Sequence, residues 1–415
     1  IPTTAPLSHH CDRDCTASDF APKTCIFNLV ARDQFTADDP RRRADGRNRT
    51  VLTFNDQLPG PLLVVCEDDL VVVALDNQIR DGPVTNADGS PNSTTVHFHG
   101  IREVGRTDQN EKVLGPWSDG VPFVNQCPVG FKQCFNYIFK ATKENFNAPP
   151  GSYWYHSHVG SQRTNGLQGG LVIKPRTAYK FDNEEVIDEP MKYTVVLQEW
   201  YESPTLQLPL SILVNGKGKV AEKVHDSSDI VAVNKYLRGI GGSFTKTSNP
   251  YETNPQANYE VFEIQFAKRY RFRILGLIGQ NFPIRVSIDN HQFTAISADS
   301  LDIKPLINLT YLWVSPGERF DILFDLPEPS DPPPPPPKAL KMRFIGYLSL
   351  GDSSSSLCSI AWLHFPNSLV DTSYTVPHDC SDFPDFENVF PTNSRVLNPP
   401  AKYAQFLDHA NLDPY

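Results

Sequence analysis

The chain has 415 residues, 39% of them hydrophobic and 11% aromatic, with a formal net charge of -10. Such length and apolar content suit two or three domains with buried cores and exclude a chain disordered throughout. The acidic balance excludes the basic face that nucleic-acid binding requires, and no apolar run reaches membrane-spanning length.

From the start, Ile1-Pro2-Thr3 reads as a mature N-terminus, and residues 1–24 as an N-terminal extension. Short runs rich in Val, Ile, Phe and Tyr follow, among them Cys25–Val30, Leu70–Leu75, Tyr193–Leu197, Tyr259–Phe266, Arg271–Leu275, Ile284–Ile288 and Phe320–Phe324. Turn residues and 37 prolines separate them, and no long helical period competes. Short β-rich runs at such spacing predict an all-β protein built from β-sandwiches. The first domain is expected over residues 25–176, a charged linker over 177–190 and a second domain over 191–366. Within the second, the run Pro332–Pro337 predicts an extended loop, since proline cannot sit in a central strand. Residues 367–415 form a Pro-, Asp- and Ser-rich tail.

Compartment is read from cysteines and sequons. An even count of eight cysteines without a CxxC pair (Cys11, Cys15, Cys25, Cys66, Cys127, Cys134, Cys358 and Cys380) predicts disulfides, with the pairing left open. Asn48, Asn92 and Asn308 each open an Asn-X-Thr or Asn-X-Ser triplet. Together these predict a secreted, extracellular glycoprotein.

Chemistry is concentrated in four of the 11 histidines. They stand as two pairs, His97-Phe98-His99 and His156-Ser157-His158, each following β-type residues. Residues two apart on a strand share a face at roughly 6–7 Å, too far for one pair to chelate one ion comfortably. Two neighbouring strands would aim four imidazoles at a cluster of metals, and imidazole suits copper, zinc, iron and nickel. Asp119, in Trp117-Ser118-Asp119-Gly120, is a candidate outer carboxylate. His9-His10-Cys11 reads as a terminal cluster, and His378-Asp379-Cys380 lacks the surroundings of a blue-copper cysteine.

The segments Thr95–Gly100, Trp117–Pro128 and Tyr153–His158 resemble the first two copper motifs of laccase-like multicopper oxidases. Leu58-Pro59-Gly60-Pro61 and Gly166–Ile173 add to the likeness, and Ser211–Gly218 resembles the laccase second domain. The cysteine-containing start is similar to that of animal laccases. The resemblance implies two cupredoxin-like Greek-key β-sandwich domains in tandem. It implies that His97 binds a type 2 copper, that His99, His156 and His158 bind a type 3 pair, and that Asp119 helps deliver protons. Phe98 stands where the family has Trp, and Asn165 where laccases commonly have Asp.

The family's third-domain motifs, HPxHxHG and HCHxxxH, do not occur in these 415 residues. The expectation is therefore half of a trinuclear cluster and no type 1 site, with the chain alone inactive. A third cupredoxin domain on another chain, or a homodimer partner, would complete it. A phenol-like reductant and O2 would then be the substrates. The alternative is a secreted, non-enzymatic copper carrier, store or structural protein on the same scaffold.

Overall fold

The computed structural model describes residues 11–35, 44–46, 50–80, 92–101, 119–144, 148–182, 184–201, 209, 211–219, 258–279, 283–326, 339–347, 356–365, 370 and 395–397. The proline run 332–337 and almost all of the tail lie outside them.

The first domain holds β1 (Thr24–Phe35), β2 (Thr50–Phe54), β3 (Gly60–Cys66), β4 (Leu70–Asn77), β5 (His97–His99), β6 (Cys134–Lys140), β7 (Gly151–His156) and β8 (Gln168–Lys174). They form two four-stranded sheets, β2-β1-β4-β6 and β3-β8-β7-β5. Alternation builds the core between them. On β4, Val71, Val73 and Leu75 point inward; on β1, Cys25, Phe27, Leu29 and Ala31 do the same.

Two disulfides, Cys11–Cys25 and Cys15–Cys66, fasten the N-terminal extension to this sandwich. Asp69 finishes the fastening, accepting from both Nη1 (2.8 Å) and Nη2 (2.7 Å) of Arg13. Cys358 is also disulfide-bonded. Disulfides are thus present as expected, while Cys127 and Cys134 are free and exposed. Cys134 falls on the outward phase of β6 with Asn136, whereas Tyr137 and Phe139 turn inward.

The stretch read as linker carries a short hairpin, β9 (Lys180–Phe181) with β10 (Glu184–Glu185). One helical turn, α1 (Pro190–Tyr193), then opens the second domain. Its strands are β11 (Thr194–Trp200), β12 (Ser211–Val214), β13 (Glu260–Glu263), β14 (Arg269–Leu277), β15 (Ile284–Ile288), β16 (Phe293–Ala298), β17 (Leu301–Val314), β18 (Arg319–Asp325), β19 (Leu340–Tyr347), β20 (Ser356–His364) and β21 (Arg395–Leu397). They belong to one eleven-stranded sheet wrapped around an aliphatic and aromatic core, and β21 adds in parallel to β17.

Every residue of β7 and β11 is buried, which simple alternation does not predict for a two-layer sandwich. The reason is that the outer face of the β3-β8-β7-β5 sheet is covered by the second domain. Trp154 on β7 packs with Val196, Leu275 and Leu277 across this interface. A fully buried Trp removes roughly 200 Å² from water, worth on the order of 5 kcal/mol.

Charges reinforce the same interface. Asp321 on β18 accepts from Ser152 on β7 (2.7 Å), from Arg273 (2.7 Å) and from the Arg271 guanidinium. Asp188, in the former linker, takes the other end of Arg273 at 2.6 and 2.7 Å. Burial alone would raise the Asp321 carboxyl, but the two guanidiniums reverse this and hold it below the usual carboxylate range.

Candidate metal centre

β5 and β7 run antiparallel with His97 opposite His156, Phe98 opposite Tyr155 and His99 opposite Trp154. Alternation then sorts the side chains without further help. His97, His99, Trp154 and His156 share one face, while Phe98 and Tyr155 enter the first domain's core. Phe98 packs there against Tyr137, Phe139 and Tyr155, an apolar slot that suits the phenyl ring.

His97, His99 and His156 each offer a ring nitrogen within 4.8 Å of the others. His158 lies just beyond the end of β7. Its ring centroid is 5.7 Å from those of both His97 and His156. Thus the four strand-pair histidines come together, with His158 at the margin. Trp154 forms the floor, its indole stacked 4.6 Å from His99 and 4.3 Å from His156.

Hydrogen bonds fix two tautomers. Nδ1 of His97 lies 2.5 Å from the carbonyl oxygen of Asp119, and Nδ1 of His156 lies 2.8 Å from that of Ser157. A carbonyl only accepts, so Nδ1 carries the proton and Nε2 the lone pair in each ring. The Asp119 carboxylate stands 3.3 Å from the same His97 nitrogen. Its hydrogen bond to His97 holds the carboxyl below its ordinary value. Gly120 makes this approach achievable: at φ +84, a Cβ there would stand 2.1 Å from the Val96 carbonyl oxygen.

Burial keeps three of the imidazoles neutral. Burial, then Arg319, bring His99 down to about 3. Burial likewise lowers His156 well below the ordinary value and lowers His158. A neutral imidazole is the form that binds metal, and borderline nitrogen donors clustered on a rigid sheet fit copper.

Other sequence candidates fall elsewhere. Asn308 is exposed on β17, as a glycosylated asparagine must be, whereas Asn92 is half-buried and donates its amide N–H to the Arg80 carbonyl. Asn165 is buried, and its backbone amide and carbonyl join Ser161 and Leu52. Asn48, Trp117, Ser118, His9, His10, His378 and Cys380 lie outside the described residues. A cavity of about 570 Å³ lined by Leu58, Pro61, Met191, Thr194 and Asn215 opens between the domains, but no histidine lines it.

Sequence reasoning missed Trp154, Arg319 and the Arg271–Arg273–Asp321–Asp188 network. One signal was present: Arg269, Arg271 and Arg273 alternate along β14, hence share one face.

Comparison with known proteins decides the family. Two multicopper oxidase family models match, over residues 36–178 and 191–332. The chain belongs to the multicopper oxidases. Its curated relatives include Laccase-2 of Fomitopsis schrenkii, 29% identical over 82% of this chain and 54% of the relative. Laccase-24 of Oryza sativa subsp. japonica is 31% identical over 66% of this chain and 39% of the relative. This laccase-like chain therefore spans about half the length of the curated relatives it matches.

Among solved structures, Fet3p, a multicopper oxidase that functions in iron import, aligns with a TM-score of 0.56 at 22% identity. That alignment covers 85% of this chain and 55% of Fet3p. The laccase from Botrytis aclada aligns at 0.52 and 21%, covering 88% and 58%. These likenesses establish the cupredoxin fold of the laccase-like multicopper oxidase. Copper is the metal its family implies.

Proposed function

We propose that this chain carries half of a trinuclear copper cluster in a laccase-like oxidase, with His97 at the type 2 position and His99, His156 and His158 at the type 3 pair. The observation that carries this reading is the convergence of three imidazoles within 4.8 Å on one face of β5 and β7. Copper held there supplies one-electron steps and the reduction of O2 to water, driven by a phenol-like reductant. The chain's own residues hold and orient. Asp119 fixes the His97 tautomer through its carbonyl. Its carboxylate, ionised beside the site, is the group that accepts and passes protons at Oδ1. Trp154, fully buried, excludes water from beneath the rings.

On this reading the remaining ligands and the type 1 site come from a third cupredoxin domain bearing HPxHxHG and HCHxxxH. The protein works outside the cell, with Asn308 a surface position suited to a glycan; no helix among the described residues is long and apolar enough to cross a membrane.

The test is oxygen uptake with a phenol. The copper-loaded 415-residue chain alone should consume no oxygen, and adding a polypeptide with the two third-domain motifs should start consumption. Copper bound tightly by the chain, with no uptake in the mixture, would favour a carrier or store instead.

A further inference from the structure

β5 has three residues and lies at the edge of its sheet, paired with β7 alone. So short an edge strand is a poor means of fixing an imidazole. His99 is held by its cross-strand neighbour and by the second domain. On one side its ring stacks on Trp154 at 4.6 Å. On another it meets the turn joining β17 to β18, where a Cβ added to Gly317 would stand 3.0 Å from both Cε1 and Nε2 of His99.

That turn cannot easily recede. The Gly317 amide donates to the Gly276 carbonyl at 2.9 Å, and the Gly276 amide donates to the Glu318 carbonyl at 2.9 Å. Glu318 closes the turn by accepting the Ser315 amide at 2.7 Å. Arg319 then bolts it to the first domain. Nε donates to the Ser152 carbonyl on β7 at 3.1 Å, two residues before Trp154. Nη1 donates to Asp299 at 2.9 Å and to the Gly317 carbonyl at 3.3 Å. Nη2 occupies the space where a Cβ on Gly100, the residue after His99, would fall at 2.4 Å.

We infer that Gly317 and Arg319, on the second domain, are positioning residues for His99. The inference rests on His99 being a metal ligand, as proposed above. The second domain lends no ligand of its own at this turn but supplies one wall of the centre. With φ at +86 and the backbone pinned, a larger residue at 317 strains the turn and pushes the imidazole. Metal–ligand distances in sound sites keep within about 0.2 Å of their preferred values, so a displaced imidazole is felt as affinity.

The experiment is Cu(II) titration of the full chain against a competing chelator, with the electron paramagnetic resonance spectrum recorded at each stage. Wild type, His99→Ala, Gly317→Ala, Arg319→Lys and each of the latter two combined with His99→Ala are compared. Gly317→Ala and Arg319→Lys should each weaken Cu(II) binding by about tenfold, typical of groups that orient a ligand, and should alter the copper hyperfine pattern. Lysine should fail to rescue because it keeps the charge and loses the fork that reaches Ser152, Asp299 and Gly317.

In the His99→Ala background, neither substitution should weaken binding further, since coupled sites are not additive. The same tenfold loss in that background would show general loosening and overturn the inference, as would wild-type affinity in both single variants. Wild-type affinity in His99→Ala would overturn the ligand reading and this inference together, an outcome distinct from His99→Ala weakening binding while the other two do not. Should Gly317→Ala fail to fold, Arg319→Lys completes the cycle alone.

Discussion

The two domains meet through faces of opposite chemistry. On the first, β5 and β7 present neutral imidazoles with an indole beneath them. On the second, β14 and β18 present two guanidiniums and a carboxylate, nearly fully buried and paired with one another. Both are polar groups inside a protein, yet they answer the burial penalty differently. The charges answer it by mutual neutralisation and hydrogen bonding, which makes them structural and intolerant of loss. His99, His156 and His158 answer it by shedding their protons, which leaves lone pairs to offer a metal. Stability is therefore concentrated on one side of the interface and chemistry on the other.

The sharpest break in this comparison is expected at Asp321. Its replacement by Ala leaves Arg271 and Arg273 hydrogen-bonded to Asp188 but without their shared buried partner and should cost about 3–5 kcal/mol of unfolding free energy. Urea denaturation checks this; a loss comparable to an ordinary surface substitution would show the network to be dispensable. His156→Ala should behave in the opposite manner, keeping the fold while losing copper.

Removing the Cys15–Cys66 bridge opens a loop with a sequence separation of 51 and should cost about 4 kcal/mol. Removing Cys11–Cys25, with a separation of 14, should cost about 3 kcal/mol. Melting curves of the two Cys→Ser pairs would contradict this assignment if neither moved. Ser152→Ala, which deletes one link between the domains, should cost about 1–2 kcal/mol.

The pH dependence of the metal-free chain gives the subtlest expectation. His99 titrates near 3 in the folded chain and His156 well below its ordinary value, whereas both protonate near 6.5 when unfolded. Between these values the unfolded chain binds more protons, so stability is complete above about pH 6.5 and falls as pH drops through that window. Melting temperatures with a chelator present should decline more steeply for wild type than for His99→Gln or His156→Gln. Equal slopes would mean that these rings do not stay neutral.

Much of this was legible in the sequence because alternation is a strong signal. The two HxH pairs on β-type residues foretold imidazoles meeting from neighbouring strands, as His97, His99 and His156 do, although His158 lies past the end of β7; the apolar runs foretold the β-rich domains. Trp154 was inside a recognised segment, but its role depends on which strand lies opposite, since His99 is its cross-strand partner. Asp188 and Arg319 were illegible for a different reason. One lies in a charged stretch that looked like linker and acquires meaning only when that stretch packs on the second domain; the other lies at a strand start and acquires meaning when the domains dock. That Cys127 and Cys134 stand free was not legible, because composition counts thiols without placing them.

The most direct test of the central claim is copper stoichiometry and affinity for the 415-residue chain beside a variant in which His97, His99, His156 and His158 are all Ala. The account predicts that wild type retains tightly bound copper through dialysis, and that the variant retains none while melting at a similar temperature in the metal-free state. Equal copper in the two, at equal stability, would contradict it.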